Sequence, residues 1–491
     1  MKIQLRPHQL ELKSAIYAEI NKGNKRVVAK AACGFGKTFL SASIIHDAVD
    51  RGLRCVFSVP NITLCDQTFV EFTNAGLDPA IIQADNIYTD YSKKVQILSI
   101  QTLASQLMRA SKSRMFHIEQ YYRDVLYIQD ECHIQFKAAK WLLEHTSKPC
   151  IGMSGTPWSK GLGLHYDSIV HGKDVGWLID NGYLSKYRAF SHYVPDMKNV
   201  STNANGDYSL KASGEEYDKE IIGDIVTTWE KLAKGRQTLL FVPRVSDANR
   251  FAREFVDAGY NAVAVSGYLD HEDCRIEIDK FKSHETMILC SVDKLSVGFN
   301  VTDVSAIIDA RPTKSKMNLV QRISRGMRIS EGKDDVILID SAGNFTRHPL
   351  IDGEYPQTLD MDEGEKPDRK KNTEEQLPKP CTKCGFMKPP KVHICPNCSF
   401  APEKQSNIEV VEGELVELKG ASAKRNRTDS WERKQQFIAE LMLHAHNKTT
   451  SLAGYIRRIR KSMAFYHLTR GSEAYLWQTH SAPKRKTISS T

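Results

Sequence analysis

Short β-branched apolar runs recur along the early part of the chain, each closed by a turn signal: RVVAKA around Val27, CVFSVP from Cys55, VQILSI from Val95, VLYIQD from Val125 and CIGMSG from Cys150. Between them lie stretches with helical spacing of apolar positions, such as KTFLSASIIHDAV from Lys37. Strand alternating with helix predicts a parallel, doubly wound α/β sheet. After about residue 220 the rhythm restarts, with TLLFVP from Thr238, AVAVSG from Ala262, TMILCS from Thr286, AIIDAR from Ala306 and DVILID from Asp335, and predicts a second α/β lobe.

The pattern divides the chain into a first lobe over 1–190 and a second over 191–345. The stretch Ser191 to Asp218 is polar and turn-rich, as a connector with little core of its own would be. Residues 346–380 turn to Asp, Glu, Lys and Pro and predict a solvated linker. A cysteine cluster occupies 381–400 and a basic segment 401–491, and no internal repeat exists beyond the two lobes.

Composition adds little to this picture. A hydrophobic fraction of 41% and a charged fraction of 26% are ordinary for a globular protein. No apolar run approaches the roughly 20 residues of a membrane span, and the start lacks the apolar region of a secretory signal, so the expected setting is cytoplasmic with no membrane partner. Eleven cysteines, an odd number with one tight cluster, predict a reducing compartment and a metal rather than a disulfide framework. The net charge is +9, yet residues 421–491 alone hold 14 Lys/Arg against 4 Asp/Glu. Either a polyanion binds there or the end is a solvated tail.

The chemistry starts at AACGFGKTFL, Ala31 to Leu40, between a predicted strand and a predicted helix. That is the context of a phosphate-binding loop. Gly34 and Gly36 let backbone N–H groups curl around phosphates, the helix N-terminus adds its positive end, and Lys37 adds a point charge. Thr38 can place its hydroxyl on Mg²⁺, and the first motif position is Ala31 where the general pattern has Gly. Downstream, VLYIQDECH ends an apolar strand with Asp130 and Glu131. At a strand tip, Asp130 can hold Mg²⁺ while Glu131 polarises a water that attacks the γ-phosphate of ATP.

Asp130-Glu131-Cys132-His133 resembles the DExH box of superfamily 2 helicases, and the resemblance continues in that family's order. It implies two tandem RecA-like domains that hydrolyse ATP between them. LRPHQ resembles the adenine-reading motif, with Gln9 at the base edge and Arg6 nearby; VPNITLCDQ from Val59 and SIQTL from Ser99 look like loops that contact a nucleic-acid backbone. SGTP resembles the motif whose hydroxyls, Ser154 and Thr156, couple the two activities together with His133. VDKLSVGFNVTDV resembles the motif that senses nucleotide and strand, with Gly298 at its turn and Asn300 where an acid is usual. QRISRGMR is similar to the arginine-finger motif, led by Gln321; Arg325 and Arg328, three apart, are expected on one helix face.

CTKCGFMKPPKVHICPNC carries two Cys-x-x-Cys knuckles ten residues apart, which can bring Cys381, Cys384, Cys395 and Cys398 to one Zn²⁺. Farther on, RKQQFIAELMLHAH predicts an amphipathic helix, and GYIRRIRKSMAFYHLTRGSEAYLW interleaves cations with aromatics that either stack bases or pack a core. The layout as a whole resembles the RadD-type DNA repair helicases of bacteria and phages, with Ser341 where that family often has His. That resemblance implies DNA as the substrate, a role in recombination-linked repair, and contact with single-stranded-DNA-binding protein. Rival readings are an RNA helicase, the motor of a restriction system, and a non-hydrolysing zinc-ribbon adaptor; intact Lys37, Asp130, Glu131, Arg325 and Arg328 speak against the last. The pattern sets no oligomeric state.

Overall fold

The computed structural model describes residues 3–401 apart from 85, 192–196, 198–199, 204–205, 220–224, 267–270, 293–300, 363–376 and 390–391. The expectations for Gly298, Asn300 and the basic end segment therefore lie outside the described residues.

Seven parallel strands form the first sheet: β1 (Arg26–Lys30), β2 (Arg54–Val59), β3 (Pro79–Ile82), β4 (Val95–Ser99), β5 (Val125–Gln129), β6 (Cys150–Ser154) and β7 (Ser168–His171), in the order β3-β4-β2-β5-β6-β1-β7. Their near-continuous apolar sequence follows from burial on both faces. Val27 and Ala29 of β1 pack on one face with Phe57, Ile128 and Ile151, while Val28 packs on the other with Val56, Tyr127 and Cys150. Each Val, Ile or Phe among them, fully buried, contributes on the order of 1.5–3 kcal/mol.

The second sheet has six parallel strands, β8 (Lys186–Ser191), β9 (Thr238–Phe241), β10 (Ala262–Val265), β11 (Ile288–Ser291), β12 (Ala306–Asp309) and β13 (Asp335–Asp340), in the order β10-β11-β9-β12-β13-β8. All ten runs read as strands from the sequence are strands here. The expected boundary at residue 190 differs from the observed one. Lys186–Ser191 pairs in parallel with Asp335–Asp340, so the chain has already entered the second sheet by residue 186.

Two segments expected to lack packing are packed. Within the Ser191 to Asp218 stretch, Met197, Val200 and Tyr208 form a small core and Leu210–Lys219 is a helix. Asp207 accepts hydrogen bonds from Thr313 Oγ1 (2.6 Å), Lys314 N (2.6 Å) and Asn318 Nδ2 (3.0 Å), which ties this stretch to the second lobe. The expected solvated linker begins instead as a strap that returns to the first lobe. Tyr355 stacks on Trp158 at 4.6 Å and 6°, Trp158 Nε1 donates to Pro356 O, and Gly161 N and Gly163 N both donate to Asp360 at 2.8 Å. Aromatic and glycine neighbours on the first lobe, not the local charge of the segment, decide its path.

A short antiparallel pair, β14 (Lys379–Pro380) and β15 (Met387–Lys388), opens the cysteine module. It docks on the outer edge of β8 through an antiparallel bridge between Phe190 and Phe386 and through Ser191 N donating to Gly385 O at 2.9 Å. That covers a strand edge that would otherwise be open on the second sheet. Among the described residues no helix is long and apolar enough to cross a membrane.

Candidate active site in the cleft between the sheets

β1 ends at Lys30, and helix α2 (Lys37–Asp50) starts after a connecting loop of six residues. The connecting loop needs glycine at Gly34 (φ 83°) and Gly36 (φ 90°), in the left-handed region that other residues enter only with strain. A Cβ on Gly36 would also strike the amide nitrogen of Gln9. Gln9 lies in helix α1 (Pro7–Asn21), where its Oε1 accepts from Arg6 N and its Nε2 donates to Phe35 O, both at 2.9 Å. Arg6 sits 5.2 Å from the ring centroid of Tyr183. The two residues expected to read adenine thus border the phosphate loop, joined by Tyr183, which sequence reading did not single out. Tyr183 sits far from both in the sequence, and no motif marks it.

Asp130 and Glu131 follow β5 directly. Asp130 N donates to Ser58 O on β2, and Asp130 Oδ1 accepts from Glu131 N, both at 3.0 Å. Glu131 adopts φ 47°, a conformation that costs a non-glycine residue about 1 kcal/mol or more and that clusters at functional sites. It turns the carboxylate toward Lys37, whose Nζ lies 3.1 Å from Oε1, and toward His133, whose Nδ1 lies 3.3 Å from Oε2. Burial would pull the Lys37 ammonium down, but Glu131 beside it holds it well above the usual lysine range. Burial likewise pushes Glu131 up, and Lys37 more than reverses it, so the carboxyl stays ionised. Asp130 goes the other way: burial, then the charge of Glu131, raises it to about 7.

His133 Nδ1 is also 2.9 Å from Ser154 Oγ, which accepts from Thr156 N at 3.0 Å. From the second lobe, Gln321 Nε2 reaches His133 Nε2 at 2.9 Å. His133 and Gln321 therefore link Glu131 to the opposite lobe through polar contacts, with Ser154 and Thr156 joined on at His133.

A cavity of about 390 Å³ lies in the cleft, lined by Gly34, Gly36, Lys37, Thr38, Asp130 and Glu131 on one side and by Gln321, Arg325 and Arg328 on the other; Arg6 and Tyr183 also border it. Burial depresses Arg325 to about 10 and Arg328 in the same direction, which leaves both guanidinium groups charged at neutral pH in a site where an anion would be welcome. The two arginines differ from expectation in one respect. The helix Lys316–Ile323 stops before them, and they sit on the turn that follows. Gly326 packs so closely on Val336 and Ile307 that a Cβ there would lie 2.9 Å from Val336 Cγ1, and the chain turns there with Gly326 N bonding to Ile323 O. The set of a glycine-lined loop, a lysine, a carboxylate pair and two arginines fits a nucleoside triphosphate with Mg²⁺.

In the cysteine module, two equivalent turns present the sulfurs. Gly385 N donates to Cys381 O and Ser399 N to Cys395 O, each at 2.8 Å, with Gly385 at φ 71° and Ser399 at φ 55°. Cys381 and Cys398 Sγ are 3.8 Å apart, Cys384 and Cys395 Sγ 3.7 Å, and all four lie within 4.8 Å of one another. Zn–S bonds of about 2.3 Å give a tetrahedron with edges of about 3.8 Å. The donor set and its spacing fit zinc, which would supply the stability so short a loop cannot draw from a core.

Residues 2–159 match the family model described as type III restriction enzyme, res subunit, and residues 219–330 that of the helicase conserved C-terminal domain. A 51.5 kDa protein of a Lactococcus phage (isolate 7-9) is 30% identical over 421 residues, covering 81% of this chain and 86% of the phage protein. A Saccharomyces cerevisiae protein that carries the name ATP-dependent helicase IRC3 is 25% identical over 366 residues; the match covers 69% of this chain and spans about half, 51%, of the yeast protein. Among solved structures, a Vibrio vulnificus YJ016 fragment given the name of a type I restriction enzyme HsdR subunit superposes with a TM-score of 0.55 at 19% identity, over 72% of this chain and 67% of that one. The ATP-dependent type ISP restriction-modification enzyme LlaBIII, bound to DNA, gives 0.51 at 16% identity, over 70% of this chain and 28% of that one. At such identities these structures speak for the fold, two α/β domains like tandem RecA-like domains. With both family models falling on the two lobes that face this cleft, and the phage relative matched along most of its length, the chain belongs to the superfamily 2 helicases and is a helicase ATPase.

Proposed function

We propose that this ATPase is a DNA translocase or helicase that acts on single-stranded or branched DNA in repair or recombination, in the manner of the RadD-type helicases its layout resembles. The observation that carries the motor reading is the division of charge across the cleft: Lys37, Asp130 and Glu131 belong to one lobe, Arg325 and Arg328 to the other. In this reading Gln9 and Arg6 hold adenine, the phosphate loop and Lys37 hold the phosphates, and Glu131 orients the attacking water. Thr38 and Asp130 would hold Mg²⁺, which would supply neutralisation of phosphate charge. Arg325 and Arg328 complete the site only when the lobes are together, so nucleotide favours closure and its hydrolysis releases it.

DNA as the strand is supported by the fold neighbour bound to DNA. The loops expected to touch the backbone leave neighbouring strands β2 and β4, and Gln101 Nε2 donates to Pro60 O at 2.7 Å to hold them side by side. Contacts of this kind go to phosphate and sugar, as a motor indifferent to sequence requires. We further propose single-stranded-DNA-binding protein as a partner and zinc as the occupant of the cysteine module.

The test is the ATPase rate with single-stranded DNA, duplex, forks and RNA, for the wild type and Glu131→Gln. DNA should stimulate the wild type strongly, and the variant should lose at least about 100-fold in rate. RNA stimulation above that of every DNA would overturn the substrate, and an active Glu131→Gln the assigned chemistry. A second reading, the motor of a restriction system, is favoured by the family model matched over the first lobe and by both fold neighbours. ATP-dependent cleavage of unmodified but not modified DNA, in the presence of a nuclease subunit, would favour it instead.

A further inference from the structure

Lys333 lies outside the nucleotide cleft, in the turn that precedes β13, and its ammonium reaches back beneath the arginine turn. Its Nζ donates to Gly326 O at 2.5 Å, Arg328 O at 2.6 Å and Thr302 O at 3.2 Å. An ammonium has three N–H donors, and here three carbonyls take them. Two of those carbonyls belong to the turn that carries Arg325 and Arg328. The third belongs to the segment that resembles the sensor of nucleotide and strand.

The turn itself is thinly held. Past Ile323 its backbone closes by short-range bonds, Arg325 N to Arg322 O, Gly326 N to Ile323 O and Met327 N to Ser324 O, at 3.0–3.3 Å. Ser185 supports the far side, its N donating to Met327 O and its Oγ to Arg328 O. The helix ladder has ended here, and to the packing of Gly326 and the bonds from Ser185, Lys333 adds a charged donor bonded to both Gly326 O and Arg328 O.

We infer that Lys333 is a positioning residue, whose ammonium fixes the Ser324–Arg328 turn so that both guanidinium groups stay aimed at the nucleotide. This rests on the proposed role of Arg325 and Arg328 as arginine fingers. Around the ammonium stand Asp303, Arg328 and Arg236. Asp303 accepts from Ser330 Oγ (2.6 Å) and faces His284 Nε2 (3.1 Å), and Arg236 is held on Asp335 at 2.7 Å. Burial lowers Lys333 to about 8, with Asp303 opposing and the two arginines adding to the fall. Below that pH three donors serve three carbonyls; above it the neutral amine has two, and one of the three bonds is lost. The sign for folding is opposite. An unfolded lysine stays protonated to about pH 10, so between about 8 and 10 this group's contribution to stability rises with pH, and lost activity there does not arise from unfolding through it.

The experiment follows kcat and KM of the DNA-stimulated ATPase of the full chain from about pH 6.5 to 9.5 for the wild type, Lys333→Arg, Lys333→Met and Arg325→Ala, with thermal melts alongside. Wild-type kcat should fall above about pH 8. Lys333→Arg, which keeps its donors at every pH tested, should lose that alkaline fall. Lys333→Met should lower kcat about tenfold or more at neutral pH with KM for ATP changed less than about threefold, as an interaction made in the transition state requires. A flat wild-type profile, the same alkaline fall in Lys333→Arg, or wild-type kcat in Lys333→Met overturns the inference, while a low kcat in Arg325→Ala leaves the arginine-finger reading standing. Wild-type kcat in Arg325→Ala sinks that reading itself. Should Lys333→Met fail to fold, the pH profiles of the wild type and Lys333→Arg decide alone.

Discussion

His133 and Gln321 meet across the cleft with 2.9 Å between their Nε2 atoms. The amide nitrogen of Gln321 can only donate, so His133 Nε2 accepts and the ring proton sits on Nδ1, where it is donated toward Ser154 Oγ and Glu131. One imidazole thus touches Glu131, Ser154 and the opposite lobe. Gln321→Ala should reduce the stimulation of ATP hydrolysis by DNA about tenfold, the usual size of a coupling between two sites. Undiminished stimulation would show that the bond carries no coupling.

Asp130, raised to about 7 by burial and by Glu131, keeps a proton in mildly acidic solution that a divalent cation must displace. The Mg²⁺ concentration that half-saturates the ATPase should therefore rise about tenfold for each pH unit below about 7 and level off above it. A half-saturation point independent of pH on the acid side would contradict this account of Asp130.

Zinc analysis of the purified chain should give one ion per molecule. Cys395→Ser should release it and lower the melting temperature by several degrees, because the module holding Phe386 against Phe190 comes away from the edge of β8. A variant without metal that melts with the wild type would show that the module is stable without a ligand.

Gly163 faces the returning strap, and a Cβ there would strike Met361 Sδ and lie 3.0 Å from Asp360 O. Gly163→Val should destabilise the protein by about 1–3 kcal/mol in urea unfolding and change the fluorescence of Trp158 as Tyr355 moves off its face. Unaltered stability and emission together would show that the strap adapts freely.

The alternation of strand and helix made both sheets legible, because a strand buried on two faces has little choice but to be apolar, as VLYIQ at Val125–Gln129 is. The phosphate loop and Asp130-Glu131 were legible for a related reason: the chemistry needs those residues next to one another in the chain. Residues that act from a distance were not. Tyr183 and Lys333 enter only when the chain folds, and neither has local neighbours that mark it. The arginine pair reads as one helix face because three-residue spacing is all the sequence offers, and the close approach of Gly326 to Val336 and Ile307 that ends the helix is a tertiary effect. Residues 349–362 read as solvent-exposed for the same reason: their charges are local, whereas Trp158, Gly161 and Gly163 are remote in sequence.

The return of that segment has a mechanical corollary. Among the described residues the polypeptide crosses from the first sheet to the second just before Lys186 and comes back to grip the first at Tyr355–Asp360, so the backbone ties the halves there at two separate places. Two bodies fastened at one point can swivel in any direction; fastened at two, they keep only rotation about the line joining the fastenings. Each turnover would then repeat a single opening path, and the distance moved along a bound strand would be set by the angle of that rotation.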